Sequence, residues 1–151
     1  MSVYERLKEL GVELPSTLQS VGWYLPALRV GDMVWTSGQL PLRDGQLIYR
    51  GKLGEHLSVT EGQEAARLCV LNALKAIESV VGSLDSLRRV VRLVGYVASA
   101  EHFTEQPQVL NGASQLLLDL FGEAGKHVRS AVGVRELPLG APAEVELFVL
   151  G

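Results

Sequence analysis

The sequence predicts an α+β fold: one mixed β-sheet with two helices packed on one of its faces. Three observations carry this. Runs of alternating apolar and polar residues occur near both ends of the chain. Two long segments between them repeat their apolar residues at helical spacing. The resulting order, β-β-β-α-β-α-β-β, gives six strands and only two long helices. Two helices cannot cover both faces of such a sheet, so they share one face. The other face, carrying Val34 or Trp35 and the valines of the last strands, is left to associate with further copies of the chain.

Residues 2–10 read as a short amphipathic helix with Val3, Leu7 and Leu10 on one side, stopped by Gly11. Residues 1–20 are expected to form an N-terminal helical extension, and residues 21–151 the globular domain. Val12 to Trp23 is irregular, with Pro15 and Gly22. Leu25–Val30 and Met33–Ser37 predict a hairpin about Gly31-Asp32. Asp44-Gly45 marks a second turn, between Leu40–Arg43 and a short strand Gln46–Arg50. Thr60, with Gln63 three residues on, predicts an N-cap and capping box. That helix runs to about Val81, with Ala66, Cys69, Val70, Ala73, Leu74, Ile77 and Val81 as its buried stripe. Cys69 falls in the stripe as a small core residue. Leu87–Ser99 is a strand too apolar for an exposed edge. Thr104 or Glu105 opens the second long helix, with Pro107 tolerated in its first turn. Val109, Leu110, Ala113, Leu116, Leu117, Leu120 and Phe121 form its core stripe, and Gly122 ends it.

The last stretch, Gly125 to Leu150, reads as two strands joined by the turn L-P-L-G-A-P. The first alternates Val128, Ser130, Val132 and Val134 against Arg129, Ala131, Gly133 and Arg135. The second alternates Val145, Leu147 and Val149 against Glu144, Glu146 and Phe148. One arginine and one or two carboxylates are therefore expected on the same side of neighbouring strands. A guanidinium fork fits a carboxylate at two points, and a nearby glutamate can orient or activate a water. That pattern suits a small organic acid. A solvated face or a cross-strand ion pair would give the same alternation. His127 is expected as a surface loop histidine, or on the face of Arg129 if the strand extends to it.

A longer match adds to this. R-S-A-V-G-V-x-x-L-P-x-G-A-x-x-E-V-E, from Arg129, resembles the C-terminal signature of the YjgF/RidA (reactive intermediate deaminase) family. Tyr24, Gly31, Ser37, Gly38, Gln39 and Pro41 fall in register with that family's N-terminal signature, and Asn111 is a third match. Leu25-Pro26 replaces the Ser-Gln that follows the family's Tyr, and Val128 precedes the Arg; with the added N-terminal segment these place the chain in a longer branch. The resemblance implies a chorismate-mutase-like fold, assembled as a homotrimer with clefts between subunits. It implies that Arg129 binds a substrate carboxylate, that Glu144 positions a water, and that Tyr24 reaches in from the adjacent subunit. Ser37, the backbone near Gly38, Asn111 and Ala131 complete the implied substrate site. The implied reaction is hydrolysis of reactive 2-imino acids and their enamine tautomers to 2-oxo acids and ammonia, with no metal or organic cofactor. The alternative is a non-catalytic protein that binds a metabolite carboxylate in the same cleft.

Composition bounds the rest. A chain of 151 residues with 47% apolar and 21% charged residues is one ordinary globular domain. Net charge −3, without a basic run, argues against a nucleic-acid surface and against the ribonuclease label that older usage attached to the family. His56, His102 and His127 are scattered, with no Cys or His at metal-ligand spacing. No apolar stretch approaches membrane-spanning length. The single Cys69 excludes an intrachain disulfide, and the N-terminus lacks the apolar core of a secretion signal, so a cytoplasmic location is expected.

Overall fold

The computed structural model describes residues 1–18 and 23–151. The expected irregular stretch 12–23 thus falls partly outside the described residues. Helix α1 spans Val3–Leu10 and is held by a capping box between Ser2 and Glu5 and by Gly11 in the left-handed region at φ 70°. It buries Val3 and Leu7 and leaves Leu10 exposed. Arg6 ties it to the domain by donating from Nη1 to the Leu120 carbonyl at 2.7 Å.

Strands β1 (Ala27–Val30) and β2 (Met33–Thr36) form the expected hairpin, with Val30 opposite Met33. The second hairpin joins β3 (Leu42–Arg43) to β4 (Gln46–Leu47) through Asp44 and Gly45, both at positive φ. It forms a two-stranded ribbon of its own, so among the described residues the main sheet has five strands, not six. Ile48, opposite Pro41 in the same register, adds one more bond to the ribbon by donating to the Pro41 carbonyl at 3.2 Å.

Helix α2 (Val59–Val81) starts two residues earlier than the Thr60 cap expected from sequence. Ser58 and Glu61 form the capping box instead. A charged carboxylate at the third helical position also complements the positive end of the helix, which Gln63 cannot do. Strand β5 (Arg89–Ala98) comes next. Helix α3 (Gln106–Phe121) follows, with Pro107 in its first turn. Strands β6 (Val128–Val134) and β7 (Ala143–Leu150) complete the chain.

The sheet order is β1-β2-β7-β5-β6. β6 runs parallel to β5, reached through the α3 crossover, while β7 is antiparallel to both β2 and β5. β6 and β7 are therefore not neighbours: β5 lies between them. The segment 135–142 is long enough to step past β5.

Leu93 and Val97 of β5 and Val145, Leu147 and Val149 of β7 face α2 and α3 and are fully buried. Gly95 lies in this row because a Cβ there would land on Leu110 of α3. Val34, Val145 and Val149 belong to this core, not to the uncovered face as expected from sequence. The uncovered face carries Trp35, Phe148, Val128 and Val132. Trp35 and Phe148 meet edge to face with ring centres 5.4 Å apart. Trp35 remains 53% exposed. Among the described residues, no helix is long and apolar enough to cross a membrane.

Candidate functional site

Arg129 sits on β6 opposite Leu93, so it faces the helices. It is half-buried beneath α3. Its Nη1 donates to Asn111 Oδ1 at 2.9 Å and to Ser114 Oγ at 3.1 Å. Asn111 and Ser114 are three residues apart on α3 and so project from one side of it. Among the described residues, no carboxylate forms an ion pair with Arg129, and its Nε and Nη2 have no hydrogen-bond partner. Ala131 lies two residues along the same face, opposite Gly95, packed against the core.

His127, in the loop just before β6, joins this group and so takes the Arg129 side that the alternation allowed it. Its Nε2 lies 2.9 Å from Ser114 Oγ and its Nδ1 2.6 Å from the Gly125 carbonyl. Ser114 was not singled out from sequence. A serine inside an apolar helix gives little signal until the partner strand is known.

Glu144 sits on β7 opposite Tyr96, on the uncovered face. Leu93 and Tyr96 are three positions apart on one strand and point to opposite sides. Within one subunit Arg129 and Glu144 therefore do not share a side of the sheet, which corrects the expectation from alternation. That expectation treated their strands as neighbours and missed that β5 intervenes.

Glu144 is half-buried. Burial pushes its carboxyl above the ordinary value of 4.5, and the charge of Glu146 pushes it further. Glu146 accepts from the Tyr96 hydroxyl at 3.0 Å, and beside it Arg92 donates to Ser130 Oγ at 3.0 Å. Gly38 abuts Glu144: a Cβ on Gly38 would come within 2.9 Å of the Glu144 carboxyl carbon. Gln39 holds this segment in place by exchanging backbone hydrogen bonds with Val145 at 2.8 and 3.0 Å. Ser37 donates from Oγ to the Leu25 carbonyl at 2.5 Å, and its N–H bonds the Pro26 carbonyl at 2.9 Å. Ser37 thus fixes the chain entering β1, next to Tyr24, whose side chain is 57% exposed.

The expected site residues form two groups. Arg129, Asn111 and Ala131 gather on the helix side at the edge strand. Glu144 and Gly38 gather on the uncovered face, with Ser37 and exposed Tyr24 where the chain enters the first hairpin.

The sequence matches, over residues 4–150, the family model described as "YjgF/chorismate mutase-like, putative endoribonuclease". The chain belongs to this family. The match begins within α1, so the N-terminal helix falls inside it. The YjgF-family chain is 44% identical to Protein TCP17 of Trypanosoma cruzi over 148 residues, covering 97% of this chain and 92% of that protein. A crystal structure of the Agrobacterium tumefaciens protein Atu1372 superposes with a TM-score of 0.90 at 40% identity, covering 98% of this chain and 90% of that one. A crystal structure described as a putative endoribonuclease from Shewanella oneidensis MR-1 superposes with a TM-score of 0.96 at 38% identity, over 100% of both chains. The five-stranded mixed sheet backed by α2 and α3 is the α+β fold of the YjgF family.

Proposed function

We propose that this chain binds small 2-imino and 2-oxo acids by their carboxylate at Arg129. It hydrolyses the imine or enamine forms to 2-oxo acids and ammonia, in clefts between the subunits of a homotrimer. The observation that carries this reading is the state of Arg129. Its guanidinium is half-buried, oriented by Asn111 and Ser114, and without a carboxylate partner among the described residues. Its free N–H groups stay open to solvent, where an organic acid can reach them and supply the missing charge.

The chemistry is undemanding. A water adds to the carbon of the C=N bond, its proton passes to the nitrogen, and the carbinolamine collapses to a C=O group with loss of ammonia. Glu144 suits the proton transfer because burial and Glu146 raise its carboxyl toward the working range of a general acid–base. Glu144 lies on the uncovered face and Arg129 on the other side of the sheet, so the pair in one cleft comes from two subunits. The exposed apolar residues on the same face as Glu144, Trp35 and Val132 among them, suit a covered interface. Gly38 and Ser37 belong to the Glu144 side of the cleft, and Tyr24 reaches across to the neighbour.

The runner-up, carboxylate binding without catalysis, keeps Arg129 and dispenses with Glu144. It is favoured by the separation of the two residues within one subunit. A net charge of −3, without a basic run in the sequence, gives no support to a phosphate-backbone substrate.

The test is to generate 2-iminobutanoate in situ and follow release of 2-oxobutanoate and ammonia. Wild type is expected to accelerate hydrolysis and Arg129→Ala to abolish the acceleration. Binding of 2-oxobutanoate without acceleration would leave the binding reading. Absence of both would remove Arg129 as the anchor.

A further inference from the structure

We propose that Ser114 and His127 are positioning residues that lock Arg129 so that a carboxylate docks side-on, across its Nε and Nη2. This rests on Arg129 being the carboxylate anchor.

The argument begins at Gly125. A carbonyl oxygen only accepts, so the His127 Nδ1 atom 2.6 Å from it carries a hydrogen. In the neutral ring, Nε2 then holds a lone pair and accepts the Ser114 hydroxyl hydrogen at 2.9 Å. With its hydrogen committed to the ring, Ser114 Oγ turns a lone pair to Arg129 Nη1 at 3.1 Å. Every link donates in one direction: Arg129 to Ser114, Ser114 to His127, His127 to Gly125. A serine without the histidine would be free to spin and to offer its hydrogen to the guanidinium side.

The far end of this chain is fixed to the same helix that carries Ser114. Gly125 is buried against the α3 backbone, where a Cβ would land on the Leu117 carbonyl. Asn111, Ser114 and the Gly125 acceptor are thus held by one rigid element, α3.

The second consequence is geometric. Nη1 bears two hydrogens, and both are taken, one by Asn111 Oδ1 and one by Ser114 Oγ. The end-on edge of the fork, Nη1 with Nη2, cannot grip a carboxylate at two points. The side edge, Nε with Nη2, has no partner among the described residues and presents two parallel N–H groups. Asn111 and Ser114 therefore select which edge of Arg129 meets the ligand.

The experiment measures the dissociation constant of 2-oxobutanoate by calorimetry for wild type, Ser114→Ala, Ser114→Thr and His127→Asn. Beside it, ¹⁵N NMR of the unliganded protein reports the His127 tautomer and the order of the Arg129 side chain. Ser114→Ala is expected to weaken binding about tenfold, the effect of one lost hydrogen bond to a charged group. Ser114→Thr, which keeps the hydroxyl, is expected to recover most of it. His127→Asn keeps a donor for Gly125 but no acceptor for Ser114, and is expected to behave like Ser114→Ala with unchanged unfolding temperature. NMR is expected to show a hydrogen on Nδ1, and an ordered Arg129 that becomes mobile in Ser114→Ala. A hydrogen on Nε2 alone, or unchanged affinity and unchanged Arg129 order in Ser114→Ala, would overturn the proposal. If wild type binds no 2-oxobutanoate while Ser114 still orders Arg129, the anchor reading fails and the positioning role stands.

Discussion

Arg129 and Glu144 lie on opposite sides of one sheet, referenced to the same strand: Arg129 is opposite Leu93 and Glu144 opposite Tyr96. A site using both must therefore draw on two subunits. This makes a complementation experiment decisive. Arg129→Ala and Glu144→Gln homomers are each expected to be inactive in 2-iminobutanoate hydrolysis. Unfolded together in equal amounts and refolded, they should regain about a quarter of wild-type activity. That is the fraction of heterologous interfaces that pair an intact Arg129 with an intact Glu144 under random assembly. Mixtures as inactive as the parents would mean that the two residues do not serve one cleft.

Replacing Arg129 by Lys keeps the charge and removes the fork. Lysine cannot present two parallel N–H groups, nor satisfy Asn111 and Ser114 while gripping a ligand. Affinity for 2-oxobutanoate should fall at least about tenfold, with stability within about 1 kcal/mol of wild type. Calorimetric titration and thermal unfolding check the two halves separately. An unchanged affinity would show that charge alone holds the acid.

The helices were the most legible part of this sequence. Their stripes are buried from 66 to 77 and from 109 to 120 as the spacing predicts, because they meet one continuous core, while Val81 and Phe121 at their ends are only partly buried. The hairpin about Gly31-Asp32 was equally clear, since a two-residue turn fixes its own register. Strand adjacency was not legible. Alternation states which residues share a face of one strand and says nothing about which strand lies beside it, so it gives no sign that β5 stands between β6 and β7. The same limit hid half of the Arg129 group. Asn111 was reachable through the family pattern, whereas Ser114 and His127 acquire meaning only once β6 is docked under α3. The cap at Ser58 was missed because two overlapping S/T-x-x-E/Q patterns compete there, and the charged one prevails.

Glu144 carries a pH signature. Burial, and then Glu146, raise its carboxyl in the folded chain above the ordinary value of 4.5. Between those two values the folded state binds more protons than the unfolded one, so stability falls as pH rises through the window. Glu144→Gln removes that dependence. Its unfolding temperature should match wild type near pH 4, where the carboxyl is protonated in both states, and exceed it at pH 7. Scanning calorimetry at the two values decides the point. A wild type more stable than Glu144→Gln at pH 7 would mean that the ionised carboxylate meets a favourable partner across the subunit interface that outweighs burial and Glu146.

Gly112 reports on the scaffold that holds the anchor. In an exposed helix, replacing glycine by alanine adds about 1 kcal/mol of stability. Here the sign should reverse. A Cβ at Gly112 would land on the Gln63 backbone carbonyl of α2, so the two helices meet at this residue with no space for a methyl group. Backbone cannot turn aside as a side chain can, and overpacking of this kind costs about 1–3 kcal/mol. Gly112→Ala should therefore lower the unfolding temperature by about 2–4 °C for each kcal/mol lost. Because Asn111 precedes Gly112 on the same turn, a displaced α3 also carries Asn111 away from Arg129 Nη1, and 2-oxobutanoate affinity should fall with stability. Thermal unfolding and titration on the same preparation test both effects. A more stable Gly112→Ala protein with full affinity would show that α2 and α3 are not in the close contact that seats Asn111 over Arg129.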